Sequence, residues 1–219
     1  MLRSIHVTGV GGQGIVTMAN LLTAHLHGLG LRVSLIHATG MAQRGGRVTS
    51  ELRFSDDPAV RFGPRISCGG ADYIIGMEMA ETINSAGLMK YGGTLVFNDY
   101  ILVPSESGRN KERFPDAEEV EERFGPLCSR IAGVRDPVQP VNLFILGVFA
   151  AVCCTDDMLS GVITPDNVEG TLKRSLTKRV DENLAAFRRG VASFKPNSQV
   201  LPCLGPAHAA RPLVACSSG

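Results

Sequence analysis

A glycine-rich turn between a predicted strand and a predicted helix restricts the fold of this chain more than any other sequence feature. Residues 3–8 alternate as in a β-strand, and apolar residues recur at helical spacing over residues 15–26. Between them, Gly9, Gly11 and Gly14 fit the pattern G-x-G-x-x-G. The first glycine of this pattern permits a tight turn, the second lets a ligand approach the backbone, and the third lets helix and strand pack closely. We therefore expect a Rossmann-like β-α-β unit at the start of an α/β fold.

The second strand of this unit, predicted over residues 31–36, ends without an acidic residue. Residues 33–39 read Val-Ser-Leu-Ile-His-Ala-Thr, whereas a dinucleotide site needs Asp or Glu there to bind the ribose hydroxyls. A structural role is favoured for His37 over contact with a phosphate. NAD binding is therefore disfavoured. Two interpretations of the glycine turn stay open: a phosphate-bearing ligand at the helix N-terminus, or close packing alone.

A second glycine-rich loop, residues 40–46, precedes a third predicted strand. The two loops are expected to meet at the carboxyl ends of adjacent strands, where open α/β sheets bind ligands. There the amide of Gln13 could hold a carbonyl or the neighbouring loop. Arg44 is expected to contact a phosphate, a carboxylate or an acidic patch of a partner, in a cluster with Arg47 and Arg53.

The remaining sequence pattern completes a three-layer α/β/α domain over residues 1–195, with a mostly parallel sheet and a helical C-terminal third. Residues 196–219 contain four prolines and one charged residue, and they are expected to form a tail that is free or docked on a partner. Further strands are predicted over residues 48–54, 72–76 and 93–98, and residues 101–103 could extend the last of these. Helices are predicted over residues 78–88, 141–154, 164–176 and 180–194, and a short acidic helix is predicted after residue 116.

Composition limits the classes of partner. The 22 Lys and Arg residues against 21 Asp and Glu give a net charge of +1, which provides no general attraction to nucleic acid or an anionic membrane. The longest apolar run, residues 141–154, is shorter than the roughly 20 residues of a membrane-spanning helix. The first residues lack the pattern of a signal peptide, so a cytoplasmic location with reduced cysteines is expected.

The sequence contains no motif for independent catalysis. Its six cysteines include no C-x-x-C pair, which argues against an iron–sulfur or zinc site on this chain. It has neither the nucleophile motif G-x-S-x-G nor a P-loop lysine, and His25 and His27 lack the spacing of metal ligands on one helix face. We therefore expect no catalytic residue and no metal site.

The two glycine loops together resemble the gamma-type domain of the 2-oxoacid:ferredoxin oxidoreductases. Residues 9–14 read Gly-Val-Gly-Gly-Gln-Gly, residues 40–46 read Gly-Met-Ala-Gln-Arg-Gly-Gly, and the resemblance covers roughly residues 3–193. Other positions that look like the family's pattern are Gly70-Ala71-Asp72, Glu78, Gly92-Gly93 before Asn98, Asn142 with Leu146-Gly147, and Asn183 with Ala186-Phe187 and Gly190. The sequence after residue 195 departs from that pattern.

The resemblance implies oxidative decarboxylation of a 2-oxo acid with coenzyme A, giving an acyl-CoA, CO2 and reduced ferredoxin. It implies that thiamin diphosphate, Mg2+ and iron–sulfur clusters lie on a large alpha subunit, and that this chain holds no cofactor tightly. This chain would be a required, non-catalytic subunit whose loops face the partner near its cofactor or the coenzyme A path. The residues so implied are Gly9, Gly11, Gly12, Gln13, Gly14, Gln43, Arg44, Gly45, Gly46 and Asn142.

The substrate and the class of function have alternatives. Within the family, the loop at residues 40–46 on a chain that stands alone is most similar to members that act on indolepyruvate. Pyruvate, a branched-chain 2-oxo acid, 2-oxoglutarate and an aryl glyoxylate are the alternative substrates. A free-standing nucleotide-binding α/β module is the alternative from another class. A nucleotide bound only by the folded state would raise the melting temperature of such a module.

Overall fold

A computed structural model describes residues 2–40, 45–103, 114–156 and 159–195. These residues form one six-stranded sheet in the order β2-β3-β1-β4-β5-β6, with helices on both faces. The strands are β1 (Leu2–Val10), β2 (Arg32–Thr39), β3 (Arg47–Ser55), β4 (Ala71–Gly76), β5 (Met89–Asn98) and β6 (Cys128–Val134). The helices are α1 (Ile15–Gly28), α2 (Met79–Asn84), α3 (Ala117–Phe124), α4 (Val141–Cys154), α5 (Pro165–Ser175) and α6 (Val180–Ser193).

Strand β3 lies antiparallel between β1 and β2, and the other five strands run in one direction. The first β-α-β unit therefore has parallel strands, as predicted, but β3 separates them. The short connection between β2 and β3 explains the insertion, because strands joined by a short loop pair as an antiparallel hairpin. Gly40 N donates to Arg47 O at 2.7 Å where this hairpin closes. Val10 pairs with Arg47, so the end of β1 lies beside the start of β3.

The helices form layers on both faces of the sheet, which confirms the predicted three-layer α/β/α fold. Helices α1 and α4 cover one face, with α5 against α1 and α6 against α4. Helices α2 and α3 cover part of the other face. Buried side chains on the α1 and α4 face include Ile5, Val7, Ile75, Val96 and Phe149, and those on the α2 and α3 face include Ile74, Phe97, Val120, Phe124 and Ile131.

Three local expectations differ from the structure. Strand β6 was not predicted, because its edge position leaves polar side chains such as Ser129 within a short segment and weakens the strand pattern. The helix predicted over residues 78–88 is shorter and ends in a 3-10 turn at Ala86–Leu88. Residues 101–103 do not extend β5. The tail proposed for residues 196–219 lies outside the described residues.

Two glycines allow α4 and α6 to cross in backbone contact. A Cβ on Gly147 would overlap the carbonyl oxygen of Phe187, and a Cβ on Gly190 would overlap that of Phe144. Because the overlap is with backbone, a side-chain rotation cannot relieve it, and the helices would have to separate.

Gly147→Ala should therefore lower the free energy of unfolding by about 1–3 kcal/mol, the usual cost of overpacking a core. Gly170→Ala is the matched control, because Gly170 lies inside α5 and a Cβ there would come no closer than 3.5 Å to Arg174 Nη1. It should raise the free energy of unfolding by about 0.5–1 kcal/mol through helix propensity. Urea denaturation measures both. Equal effects of the two variants would show that the crossing is not tight.

His6 is buried under α2, on the face of β1 whose side chains are polar. Its Nε2 lies 3.2 Å from Ser85 Oγ, which itself donates to Glu81 O at 2.9 Å, so the imidazole Nε2–H donates to the hydroxyl. Burial, and then the positive charge of Arg47, lowers the pKa of His6 from 6.5 to about 4. Burial also lowers the pKa of His25, which contacts Thr171 Oγ1 at 3.0 Å.

The free energy of unfolding should decrease as the pH falls from about 6.5 to about 4. In that window the imidazole of His6 is protonated in the unfolded chain but stays neutral in the folded protein. A pKa shift of this size corresponds to about 3 kcal/mol. Urea denaturation across this pH range should give a steeper pH dependence for the wild type than for His6→Gln. Identical slopes would remove His6 as the cause.

Candidate functional site

Four loops lie together at the end of the sheet where the parallel strands have their carboxyl ends. These are the turn after β1, the hairpin loop before β3, the residues after β4, and the residues after β5. The N-termini of α1, α2 and α4 point to the same edge. We call the backbone of Gly11, Gly12, Gly45 and Gly46 the glycine edge. Open α/β sheets bind their ligands at this end.

The two glycine loops contact each other, as the sequence predicts. Gly11 N donates to Gly46 O at 2.9 Å. The contact follows from the register of β1 with β3, which places Val10 opposite Arg47. Gln43 and Arg44, at the centre of the second loop, lie outside the described residues.

Three glycines of the first loop are required by the chain itself. A Cβ on Gly9 would lie 2.5 Å from Gln13 Oε1 and 2.8 Å from Met77 Cβ. Gly12 has φ of 95°, and Gly14, the N-cap of α1, has φ of 77°. A Cβ on Gly14 would also overlap the amide of Asn142. These positions exclude other residues for internal reasons.

Gly11 differs from its neighbours, because within the described residues no contact and no positive φ requires a glycine there. It is exposed and is not among the glycines with positive φ. A Cβ would make only ordinary contacts, at 3.8 Å to Gly46 O and 3.9 Å to Gly45 N. Without a side chain at this exposed position, the backbone of the turn is accessible from outside the chain.

Two amide side chains fix the first loop through the carbonyl of Met77. Gln13 Oε1 accepts from Val10 N at 2.9 Å, and its Nε2 donates to Met77 O at 3.0 Å. Of the two partners that the sequence allowed for the Gln13 amide, a carbonyl or the neighbouring loop, the structure shows a carbonyl. Asn98, which the sequence did not single out as a site residue, donates to the same oxygen at 3.2 Å. Asn142 lies beside the turn, with Nδ2 3.4 Å from Gly14 O.

Glu78 fixes the segment that follows β5. Its Oε2 caps α2 by accepting from Glu81 N at 2.9 Å, and its Oε1 accepts from Leu102 N at 3.2 Å. Met79 N donates to Tyr100 O at 2.9 Å. The side chains of Tyr100 and Leu102 remain exposed on this fixed segment. Sequence reasoning missed them, although an apolar run continuing past a strand end was a visible signal.

The expected cluster of three arginines is wrong. Arg47 lies at the glycine edge, with Nε 3.2 Å from Glu81 Oε2. Arg53 lies at the opposite end of the sheet, because the extended strand β3 carries it away from Arg47. There its Nη1 donates to Gly63 O at 3.0 Å. Burial raises the pKa of Glu81, opposed by Arg47 and reinforced by Glu78.

Other sequence candidates have local roles. His37 Nδ1 lies 2.8 Å from Ser50 Oγ on the neighbouring strand, in agreement with a structural role. The described cysteines are Cys68, Cys128, Cys153 and Cys154, and within the described ranges no three His, Cys, Asp or Glu side chains gather in a way that could hold a metal ion. In the part of the chain that the structure describes, no helix combines the length and apolar character that crossing a membrane requires.

The family model for pyruvate ferredoxin/flavodoxin oxidoreductase matches residues 4–193. The chain belongs to this family. Indolepyruvate oxidoreductase subunit IorB of Pyrococcus horikoshii is 31% identical over 199 residues, covering 88% of this chain and 96% of that protein. The IorB subunit of Archaeoglobus fulgidus is 30% identical, with 87% and 94% covered.

Solved structures confirm the fold. Pyruvate oxidoreductase subunit PORC of Thermotoga maritima aligns with a TM-score of 0.61 at 19% identity, covering 87% of this chain and 96% of that chain. The 2-oxoglutarate:ferredoxin oxidoreductase of Magnetococcus marinus, solved with 2-oxoglutarate, coenzyme A and succinyl-CoA, aligns with a TM-score of 0.59 at 18% identity. The match covers 87% of this chain but 30% of the Magnetococcus chain.

Gln13→Ala should lower the free energy of unfolding by about 1–3 kcal/mol, because it leaves Val10 N–H without its acceptor and removes a donor from Met77 O. Gln13→Glu keeps the shape and the acceptor but turns a carboxylate oxygen toward that carbonyl. It should destabilise at least as much at pH 7. Urea denaturation at pH 7 checks both variants. A Gln13→Glu protein as stable as wild type would contradict the assigned hydrogen bonds.

Proposed function

We propose that this chain is the small subunit of an indolepyruvate:ferredoxin oxidoreductase. The observation that carries the proposal is its similarity to four IorB subunits, at 28–31% identity over 87–88% of this chain and 94–96% of each relative. Similarity along nearly the whole of both chains supports an equivalent role for this chain. The reaction converts an aryl pyruvate, coenzyme A and oxidised ferredoxin into an aryl acetyl-CoA, CO2 and reduced ferredoxin.

We assign the cofactors to the partner subunit. Thiamin diphosphate supplies the electron sink for decarboxylation of a 2-oxo acid, and iron–sulfur clusters accept the electrons. The described cysteines of this chain do not fit such a cluster, because none of them lies with two further His, Cys, Asp or Glu side chains. The proposed assembly pairs this chain with a large alpha subunit, passes electrons to ferredoxin, and works in the cytoplasm.

The glycine edge is the surface of this chain that we assign to the partner or its ligands. Gly9, Gly14, Gln13 and Asn142 shape the first loop, as their internal contacts show. Gly11, Gly12, Gly45 and Gly46, together with Gln43 and Arg44, are proposed to make the contact itself. Bare backbone lets another molecule approach N–H and C=O groups directly.

Anaerobic affinity purification of this chain from its host tests the proposal. We expect a large thiamin- and iron-containing subunit to co-elute, with indolepyruvate the best substrate for viologen reduction. Another preferred 2-oxo acid would change the substrate and keep the family reaction. A chain that elutes alone and gains melting temperature with a nucleotide would overturn the proposal.

Gly11→Ala separates a role in contact from a role in folding. The melting temperature of the subunit should stay within about 2 °C of wild type, because the new methyl group meets only ordinary contacts. Assembly with the large subunit, or turnover of the assembled enzyme, should fall.

Gly28→Ala, at the far end of α1 where a Cβ would meet nothing within 4 Å, is the control. It should not lower the melting temperature, and it should leave assembly and turnover unchanged. Thermal denaturation and viologen reduction measure the two effects. Full activity of the Gly11→Ala enzyme would remove Gly11 from the contact surface.

A further inference from the structure

Three exposed apolar side chains follow one another closely after β5, and one of them, Leu102, lies beside the glycine edge. Tyr100 is 42% exposed, Leu102 36% and Val103 53%. We call these three residues the 100–103 ridge. The other large apolar side chains exposed in the described part of the chain, Leu29 and Tyr91, stand apart in sequence. Scattered exposed apolar residues are ordinary, but several grouped on one surface mark an interaction site.

The ridge is held in place by the fold. Tyr100 N donates to Asn98 O at 2.8 Å, and Tyr100 O accepts from Met79 N at 2.9 Å. Leu102 N donates to the buried carboxylate of Glu78 at 3.2 Å. The side chain of Ile101 points the other way and packs against the core under α2. A segment ordered before binding loses little conformational entropy on binding, so it suits a stable interface.

The ridge and the glycine edge form one continuous surface. A Cβ on Gly45 would lie 3.1 Å from Leu102 Cδ2, so the bare backbone of the second loop touches the ridge directly. The ridge consists of projecting side chains beside backbone that has none. Small ligands bind in concave pockets, whereas projecting apolar side chains are buried by another protein.

We infer that the 100–103 ridge is the apolar anchor by which this chain docks on the thiamin-bearing subunit. This inference rests on the proposed function, which assigns the adjoining glycine edge to that subunit. In the Magnetococcus enzyme the matching fold is 30% of one longer chain, so there the equivalent domain belongs to the same polypeptide as a larger protein. The occupant is therefore a larger protein of the same enzyme, with an apolar surface facing the ridge.

Aspartate substitutions in the ridge test the inference in the two-subunit complex. Leu102→Asp and Val103→Asp would each place a charge in the apolar interface, and each should weaken affinity for the large subunit at least about tenfold. Leu29→Asp is the matched control, because Leu29 is 46% exposed and follows the far end of α1. It should bind as wild type. The affinity is measured by titrating purified large subunit onto the tagged chain.

Each outcome decides a separate point. Unchanged affinity of both ridge variants, with wild-type binding intact, overturns the inference and leaves the proposed function standing. A wild-type chain that binds no thiamin-bearing subunit overturns the proposed function itself. Weakened self-association of the ridge variants, with partner affinity unchanged, would make a second copy of this chain the occupant and overturn the inference. If Leu102→Asp melts early because Leu102 touches Gly45, Val103→Asp decides, since Val103 is the most exposed of the three.

Discussion

The carbonyl oxygen of Met77 connects three strand ends, and the shape of the glycine edge depends on it. It accepts from Gln13 of the first glycine turn and from Asn98 at the end of β5, while Met77 N donates to Thr8 O of β1 at 2.8 Å. The backbone groups of this one residue thus hold the ends of β1, β4 and β5 in fixed relation. A glycine-rich turn is intrinsically free to move, because glycine has the largest choice of backbone conformations. The side-chain amides supply the order that the glycines lack.

The two faces of the sheet differ in chemistry, and this difference explains why the site residues lie where they do. The face under α1 and α4 carries the larger apolar cluster, which includes Ile5, Val7 and Val96. The opposite face is polar across β1 and β3, where Glu51 accepts from Arg65 Nη1 at 3.0 Å and from Ile66 N at 2.5 Å. His6 and Thr8 are fully buried on that same polar face. Polar groups in a dry interior hold their neighbours in specific positions, because each hydrogen bond left unmade is costly.

Sequence patterns predicted most helices and strands well, but they did not predict the order of the strands in the sheet. Helix α4 matches its predicted bounds, because an apolar run between Pro140 and Thr155 leaves little choice of where it starts and ends. The insertion of β3 was missed, because strand order depends on contacts distant in sequence. Arg53 was placed at the wrong end of the sheet for a different reason, since an extended strand that starts at Arg47 carries Arg53 away whatever the strand order. Gly9 and Gly14 are required for other reasons than the sequence pattern gives, because a Cβ on Gly9 would meet Gln13 and Met77, whereas Gly14 has φ of 77° and lies against Asn142. The role of Asn98 emerges only once β4 and β5 are paired.

The antiparallel pairing of α4 with α6 determines the side of the fold on which α6 ends. Gly190 faces Phe144 and Gly147 faces Phe187, so α6 ends beside the start of α4, whose Asn142 touches the first glycine turn. Ser193, the last residue of α6, therefore lies on the side of the glycine edge. Leu2, by contrast, begins β1 at the opposite edge, about 25 Å along the strand. An affinity handle placed ahead of Leu2 therefore starts at the end of the sheet away from the proposed docking surface.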